Sequence, residues 1–405
     1  MSNLKRNLNI INPILFILVL ITSFCCLLSL YSVLKVVTHS KKSFSLDKTT
    51  FSNQDKNGKK VNQFEANFPP VSILKPLQGT DPGLKTNLSS FCQMDYPVYE
   101  LVFCLEKEED PALDIVRELQ KEYPQISIKT AIDKNRYGYN PKVNNLIRGL
   151  SKASYNLILI SDADVCPDKD YLKDTAIFFQ DPSVGMVTNL IRGKGKGSLG
   201  AILENLNLNY FVLGGTCFLY HFFGYACVTG KSVLLRKDDL EKIGGFSSVK
   251  NFLAEDQILE KKLIRLGKKV VLSNHLITSN NCKRPLSKFF TRNLRWSQMR
   301  MQLGGLGYLS ELLANPILFA IALFILSSFS TFSFLTLLGT GFLKMILESI
   351  QGKLIQAEAG FFPYLLIPLK DLLIGLLWFF PFFKTSIEWR GSKFKLKRYT
   401  ELEPL

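Results

Sequence analysis

The sequence predicts an α/β domain on a mixed, mostly parallel sheet, with transmembrane helices at both ends. Three observations predict it. Short apolar strands alternate with helical stretches between residues 70 and 303. Uncharged runs long enough to enter or cross a bilayer flank that region. Acidic motifs fall just after apolar strands, where open α/β sheets bind their ligands.

Taking the elements in order, Asn7 to Leu34 carries no charge. That core is too long for a signal peptide and no small-residue cleavage site follows, so residues 1–38 read as an uncleaved anchor. Residues 39–69 are polar and rich in Lys, Ser and Asn, the composition of a flexible linker. The α/β pattern starts at Pro70. Val71 to Leu74 is a short strand ending at Lys75-Pro76, Tyr99 to Leu105 a second, Ile126 to Thr130 a third and Asn156 to Ser161 a fourth. Helices are expected over Leu84 to Phe91, Ala112 to Glu122 and Pro141 to Lys152. Residues 199–227 are unusually aromatic, and two readings stay open: ordinary core, or a surface dipping into lipid. Residues 304–385 read as interfacial and transmembrane helices. Leu312 to Leu343 is uncharged, and Ala359 to Phe383 is interrupted only by Lys370-Asp371, a pair that is expensive in lipid and fits a re-entrant or protein-facing segment. Residues 386–405 read as a basic tail.

Basic residues following the first span (Lys35, Lys41, Lys42, Lys48) outnumber Lys5 and Arg6 before it, and Lys384, Lys393, Lys395, Lys397 and Arg398 crowd the tail. The positive-inside bias therefore predicts a multi-pass integral membrane protein with domain and tail both cytoplasmic. The expected location is a bacterial inner membrane, or a Golgi-type membrane in a eukaryote. Overall, 50 Lys and Arg face 34 Asp and Glu, a net charge of +16. No nucleic-acid motif accompanies this surplus, so anionic headgroups and a phosphate-bearing substrate are the expected partners. Eight cysteines without metal-ligand spacing read as buried free thiols, and three histidines argue against a His-rich metal site.

The chemistry concentrates in three motifs. Asp162-Ala163-Asp164 follows an apolar strand; if strand geometry persists, both carboxylates share one side and suit Mg²⁺ or Mn²⁺ together with diphosphate oxygens. The alternative is a solvated acidic turn. Asp256 opens a helix with Ile258, Leu259, Leu263 and Leu266 on one face and Gly267 as its stop. It is a candidate base for a hydroxyl proton, with Glu255 as competitor, or else a favourable helix-terminal charge. Arg292 and Arg295 are helix neighbours suited to gripping a diphosphate, with Trp296 beside them; a juxtamembrane basic patch is the plain alternative. Weaker candidates are Asp110 after the second strand and Lys142 at a helix start that attracts phosphate.

Taken in order with Val71-Ser72-Ile73-Leu74-Lys75-Pro76-Leu77, Asp95-Tyr96-Pro97, Asn140-Pro141-Lys142-Val143-Asn144-Asn145-Leu146, Cys227-Val228-Thr229-Gly230 and Gly244-Gly245-Phe246, these motifs make the chain resemble the ceramide glucosyltransferase family and its bacterial relatives, some of them associated with hopanoids. The likeness runs from residue 71 to about residue 300. It implies a GT-A-type fold, inverting transfer of glucose from UDP-glucose, a divalent cation and a membrane lipid acceptor. Matched by position, the family's three aspartates fall on Asp110, Asp162 and Asp256, with Asp256 as base, and its last motif on Arg292, Arg295 and Trp296. We assign Lys75, Pro76, Asp110, Lys142 and Asp162 to donor binding, and Asp162 and Asp164 to the metal. One departure is visible: the animal enzymes carry Asp-Ser-Gly where this chain has Asp162-Ala163-Asp164. This leaves a hopanoid or other lipid, and UDP-N-acetylglucosamine, as alternatives. A processive polysaccharide synthase fits less well, since those carry Gln at the position of Arg292 and more spans.

Overall fold

The computed structural model describes residues 2–47, 52–54, 60–62, 68–195, 197–357, 360–389 and 391–405. Helix α1 (Ser2–Asp47) contains the N-terminal apolar run. Within the stretch read as linker, β1 (Ser52–Gln54) and β2 (Lys60–Asn62) form a small antiparallel pair.

The core is an eight-stranded sheet made of β3 (Val71–Pro76), β4 (Tyr99–Leu105), β5 (Ser127–Ile132), β6 (Leu157–Ile160), β7 (Val165–Cys166), β8 (Val184–Lys194), β9 (Val233–Arg236) and β10 (Lys269–Asn280). Their order is β5-β4-β3-β6-β9-β8-β10-β7. The strands β5, β4, β3 and β6 run parallel, β8 and β10 are parallel to each other, and β9 and β7 are antiparallel to their neighbours. β3 and β4 are buried along their whole length, as strands covered on both faces must be. One face carries α2 (Leu84–Cys92) and α3 (Ala112–Glu122), whose Leu88 and Val116 join Ile73, Leu101 and Phe103 in one apolar cluster. The other face carries α4 (Pro141–Lys152), whose Val143 and Leu146 pack with Leu74, Val102 and Ile158. Short helices α5 (Tyr171–Ala176) and α8 (Lys237–Lys242) complete the connections, and α9 (Glu255–Arg265) adds Leu259 and Leu263 to the second cluster.

The aromatic stretch divides between its two readings. It forms α6 (Leu199–Leu206), a π-helical turn over Asn207–Val212 and α7 (Leu213–Phe223). Leu213 and Cys217 bury against Val33 of α1, while Phe222 and Phe223 stay exposed. After α10 (Leu286–Gly304) come α11 (Pro316–Leu326), α12 (Thr331–Leu354), α13 (Phe361–Leu365) and α14 (Ile367–Phe379).

Among the described residues, two helices are long and apolar enough to cross a membrane, over Ile10–Thr38 and Thr331–Leu354, and the count rises to three if the pair Leu286–Ala314 and Pro316–Leu326, bent by 72°, forms one broken span. The uncharged run from Leu312 to Leu343 is not one span: it breaks between α11 and α12, where Ser327, Ser330 and Ser333 bond to one another. The last apolar run contains a 13-residue helix, only about 20 Å long and short of the hydrocarbon thickness. Lys370 and Asp371 face protein, as one of the two readings required: Lys370 lies 3.0 Å from Glu348 and 2.7 Å from Asp371.

The segment read as a basic tail is folded. β11 (Ser386–Trp389), β12 (Ser392–Leu396) and β13 (Leu402–Pro404) form an antiparallel sheet whose Ile387, Phe394, Leu396 and Leu402 pack against Leu253. Alternation of Lys393, Lys395 and Lys397 with Phe394 and Leu396 puts the charge on one face and the apolar residues on the other. That packing also puts the C-terminal sheet and the α/β domain on the same side of any membrane.

Candidate active site

The sheet's carboxyl ends open onto a cavity of about 1210 Å³. Pro76, Lys142, Asp162, Asp164, Asp256, Arg292, Arg295 and Trp296 all line it, so eight of the residues singled out by sequence converge from five regions of the chain.

The first wall is Asp162-Ala163-Asp164. β6 ends at Ile160 and a turn follows, so strand geometry does not persist through the motif. The turn gives each carboxylate its own lysine. Asp162 Oδ1 lies 2.9 Å from Lys142 Nζ, and the Asp162 side chain remains 35% exposed towards the cavity. Asp164 receives Lys231 Nζ on both oxygens at 2.5 Å, plus the Ser279 hydroxyl at 3.3 Å. Burial penalises the charged Asp164, yet the Lys231 ammonium and Arg292 beside it hold its carboxyl well below the usual range. Behind the turn, Lys75 donates to the Asp162 carbonyl at 2.6 Å and sits 3.8 Å from the Phe91 ring centroid. Its complete burial pushes the ammonium down to about 7.

The second wall joins α4 to α9. Asn140 caps α4 by accepting from the Lys142 and Val143 amides, and Pro141 occupies the first turn. This start aims Lys142 inward, where it bridges Asp162 and Glu255 at 2.9 and 3.0 Å and donates to the Gly230 carbonyl. Burial opposes the Lys142 charge, but the surrounding carboxylates raise it above the usual lysine range. Lys142 is thus committed to carboxylates. Gly230 is needed here for space: a Cβ would come within 3.4 Å of both Asp256 Oδ2 and Glu255 Oε1, and closer still to Lys142 Nζ.

Asp256 and Glu255 separate here. Glu255 is paired to Lys142 and to Asn140 Nδ2 at 3.2 Å. Asp256 accepts from the Gln257 amide at 2.8 Å, and burial, reinforced by the Glu255 charge and opposed by Lys142, lifts its carboxyl to about 7. A carboxylate at the edge of ionisation suits proton transfer near neutral pH.

The third wall is α10. Arg292 pairs with Glu204 of α6 at 3.1 Å and stacks on Trp296 at 4.6 Å. Glu204 is itself fixed by Asn293 Nδ2 at 3.1 Å. Arg295, one turn on, lies 5.9 Å from the Trp389 ring of the C-terminal sheet.

Asp110 is placed differently. Its carboxylate accepts from the Gly79 amide at 2.9 and 3.0 Å and from the Ala112 amide at 2.9 Å. It braces the loop after β3, where Gly79 adopts φ +64, and Gly79 rather than Asp110 lines the cavity. Lys231 and Glu204 were not found by sequence reasoning, and Trp389 stood out there only as part of the likeness to bacterial relatives, with no site role. Lys231 directly follows the Cys227–Gly230 motif and was the one most open to discovery, as a lone cation among apolar residues.

The cavity has another end. Cys25, Cys26 and Ser29 of α1 and Leu347, Glu348 and Gln351 of α12 continue its lining away from the carboxylates. One space therefore joins charged groups to two helices of membrane-spanning composition.

The profile of glycosyl transferase family 21 matches residues 24–402. The chain belongs to that family. This family 21 protein is 28% identical over 343 residues to ceramide glucosyltransferase 1 of Caenorhabditis elegans, covering 81% of this chain and 72% of that one. It is 31% identical over 245 residues to ceramide glucosyltransferase 3 of the same organism, covering 58% and 52%. Among solved structures, a mannosyltransferase from Pyrobaculum calidifontis in complex with GDP-Man and Mn²⁺ matches with a TM-score of 0.50 at 16% identity, over 89% of this chain and 98% of that one. The family 21 protein thus has the GT-A glycosyltransferase fold and is a glycosyltransferase with helices long and apolar enough to span a membrane.

Proposed function

We propose that the protein transfers glucose from UDP-glucose to the hydroxyl of a membrane lipid, with ceramide as acceptor, and with inversion. The observation that carries this reading is the single cavity lined at one end by Asp162, Asp256 and Arg292 and at the other by α1 and α12. A donor held at the charged end meets an acceptor whose apolar part occupies the helical end. The named relatives are ceramide glucosyltransferases, which favours the same pair.

In this reading the donor diphosphate lies between the loop at Pro76 and the α10 arginines. As the bond from the sugar to the diphosphate breaks, negative charge grows on the leaving UDP. Arg292, held by Glu204, and Arg295, held near Trp389, are preorganised to meet it. Asp256 takes the acceptor hydroxyl proton as its oxygen attacks the opposite face of the sugar carbon. Trp296 and the apolar lining limit water.

The neighbouring fold's Mn²⁺ raises the question of a divalent ion. No cluster of three or more His, Cys, Asp or Glu side chains suited to a metal occurs among the described residues. The residues fit an ion held jointly with substrate through the part-exposed Asp162, with diphosphate oxygens completing the set, as Mg²⁺ and Mn²⁺ sites of this kind require; Asp164, whose two oxygens both take Lys231, would join it by releasing that lysine. Such an ion supplies Lewis-acid stabilisation of the leaving group. In orientation, the basic flanks favour a cytoplasmic domain and a multi-pass arrangement.

The test uses the full chain in mixed detergent–lipid micelles with UDP-glucose, and mass spectrometry of the lipid products. Glucosylceramide is the expected product, lost in chelator and restored by Mg²⁺ or Mn²⁺. A second reading, a hopanoid or other lipid hydroxyl, rests on the additional carboxylate Asp164. Product only with that acceptor, or only with UDP-N-acetylglucosamine, would decide for it.

A further inference from the structure

We infer that the C-terminal sheet is a working part of the active site, with Thr400 as the positioning residue that holds Asp256 in place. The inference rests on Asp256 being the base.

The segment Asn251–Ala254 delivers the chain into α9 and so sets where Asp256 stands. Ala254, at the N-cap of α9, has no side chain that could cap the helix. The caps come instead from residues about 150 positions later. The Leu253 amide donates to the Thr400 carbonyl at 2.9 Å, and the Ala254 amide donates to the Thr400 hydroxyl at 3.1 Å. The Leu402 amide donates to the Asn251 carbonyl at 2.8 Å, and Phe252 makes an antiparallel bridge to Glu401. The last residues of the chain thus pair, almost as an added strand, with the residues just before Asp256.

Thr400 does this in an unusual backbone state. It is fully buried, with φ +69, and Tyr399 before it has φ +61. A β-branched residue rarely adopts the left-handed region, and two consecutive non-glycine residues there are held only by strong surroundings. That backbone turns both the carbonyl and the hydroxyl of one residue onto two successive amides. A glycine would adopt this conformation without strain but has no hydroxyl.

The same sheet reaches the other side of the cavity. Gln298 of α10 donates to the Lys384 and Ser386 carbonyls at 2.6 and 3.0 Å, at the start of β11. Glu388, Trp389 and Gly391 line the cavity, and Trp389 faces Arg295. One small sheet therefore fixes the distance between the residue that accepts the proton and the arginine that meets the leaving group.

The experiment compares Thr400→Gly and Thr400→Ser in the full chain. Measurements are kcat, KM for UDP-glucose, thermal midpoint, and hydrogen–deuterium exchange over residues 251–257. Thr400→Gly relieves the backbone strain while deleting the hydroxyl. The expected result is a thermal midpoint no lower than wild type, faster exchange at Ala254, an unchanged donor KM, and kcat lower by about fivefold, the rate equivalent of one lost hydrogen bond. Thr400→Ser should keep kcat near wild type. A wild-type kcat in Thr400→Gly overturns the inference, as does slow exchange at Ala254 in that variant. A fall in kcat matched by a falling thermal midpoint and a rising donor KM also overturns it, because general loosening then explains the loss. If the wild type glucosylates no lipid, the functional reading fails separately, and exchange at Ala254 alone decides the contact.

Discussion

Two charge clusters, built from the same residue types, meet one cavity, the second through Lys344 and Glu348, and differ in what they leave open. At the sheet end, Lys142 and Lys231 pair with Asp162, Glu255 and Asp164, yet Asp162 and Asp164 keep 35% and 26% of their side chains exposed. At the helical end, Lys344, Glu348, Lys370 and Asp371 close on one another. Lys344 lies 3.1 Å from Glu348, Lys370 bridges Glu348 and Asp371, and none of the four side chains is more than 10% exposed. The first cluster holds charge ready for a charged ligand. The second cancels its own charge and ties α12 to α14, as ionisable groups among apolar helices must. Accessibility, not residue type, separates the two.

The comparison breaks most sharply at Asp256. Asp256→Asn should lower kcat by roughly 10²–10⁴-fold, the range for losing a general base, with UDP-glucose affinity retained. Turnover and nucleotide binding are measured separately; substantial residual turnover would remove Asp256 from the role. Because burial and Glu255 raise its carboxyl to about 7 and Lys142 opposes them, wild-type kcat should climb with pH through that value, as the carboxyl ionises into its active form.

Lys370→Met should act on stability alone. Removing Lys370 leaves Glu348 and Asp371 to share Lys344 alone, at 3.1 and 3.7 Å, with one buried negative charge uncompensated, so unfolding in detergent should become easier by about 3–5 kcal/mol, while kcat of the folded fraction stays at the wild-type level. A kcat loss without destabilisation would erase the distinction between the clusters.

Arg295→Lys should lower kcat by about tenfold, since the point charge survives but the planar fork that lies 5.9 Å from the Trp389 ring does not. Membrane partitioning serves as control. An unchanged kcat would assign Arg295 to headgroup contact.

The smallest effect should come from His275, outside both clusters. Burial disfavours its charge, but Asp168 and Asp174, at 3.2 and 2.9 Å, raise the ring to about 9. A raised histidine stabilises fully below its unfolded value near 6.5 and loses that contribution as pH passes 9. Both aspartates are solvent-exposed, so screening reduces the effect to roughly 1–2 kcal/mol. His275→Gln should flatten the decline of thermal stability between pH 6.5 and 9.

By itself the sequence determined the elements. Alternation and helical periodicity located β3, β4, α3 and α4 to within a residue or two, because burial on both faces of a sheet demands continuous apolar strands. It also brought out Asp162, Asp164, Asp256, Arg292, Arg295 and Trp296, because few chemistries use those types in that order. Tertiary structure decided the pairings. Lys231 meets Asp164 across 67 residues, and Glu204 meets Arg292 from another helix. The proposal of Asp256 over Glu255 as base also rests on tertiary structure, since only the folded chain pairs Lys142 with Glu255. The last twenty residues illustrate the limit best. Their charge read as a basic tail, but alternate residues point to opposite faces of a strand, and only the packing against Leu253 reveals that one face is buried. Local periodicity is written in neighbouring residues. A long-range contact depends on where two distant surfaces meet, and that is settled only when the chain packs.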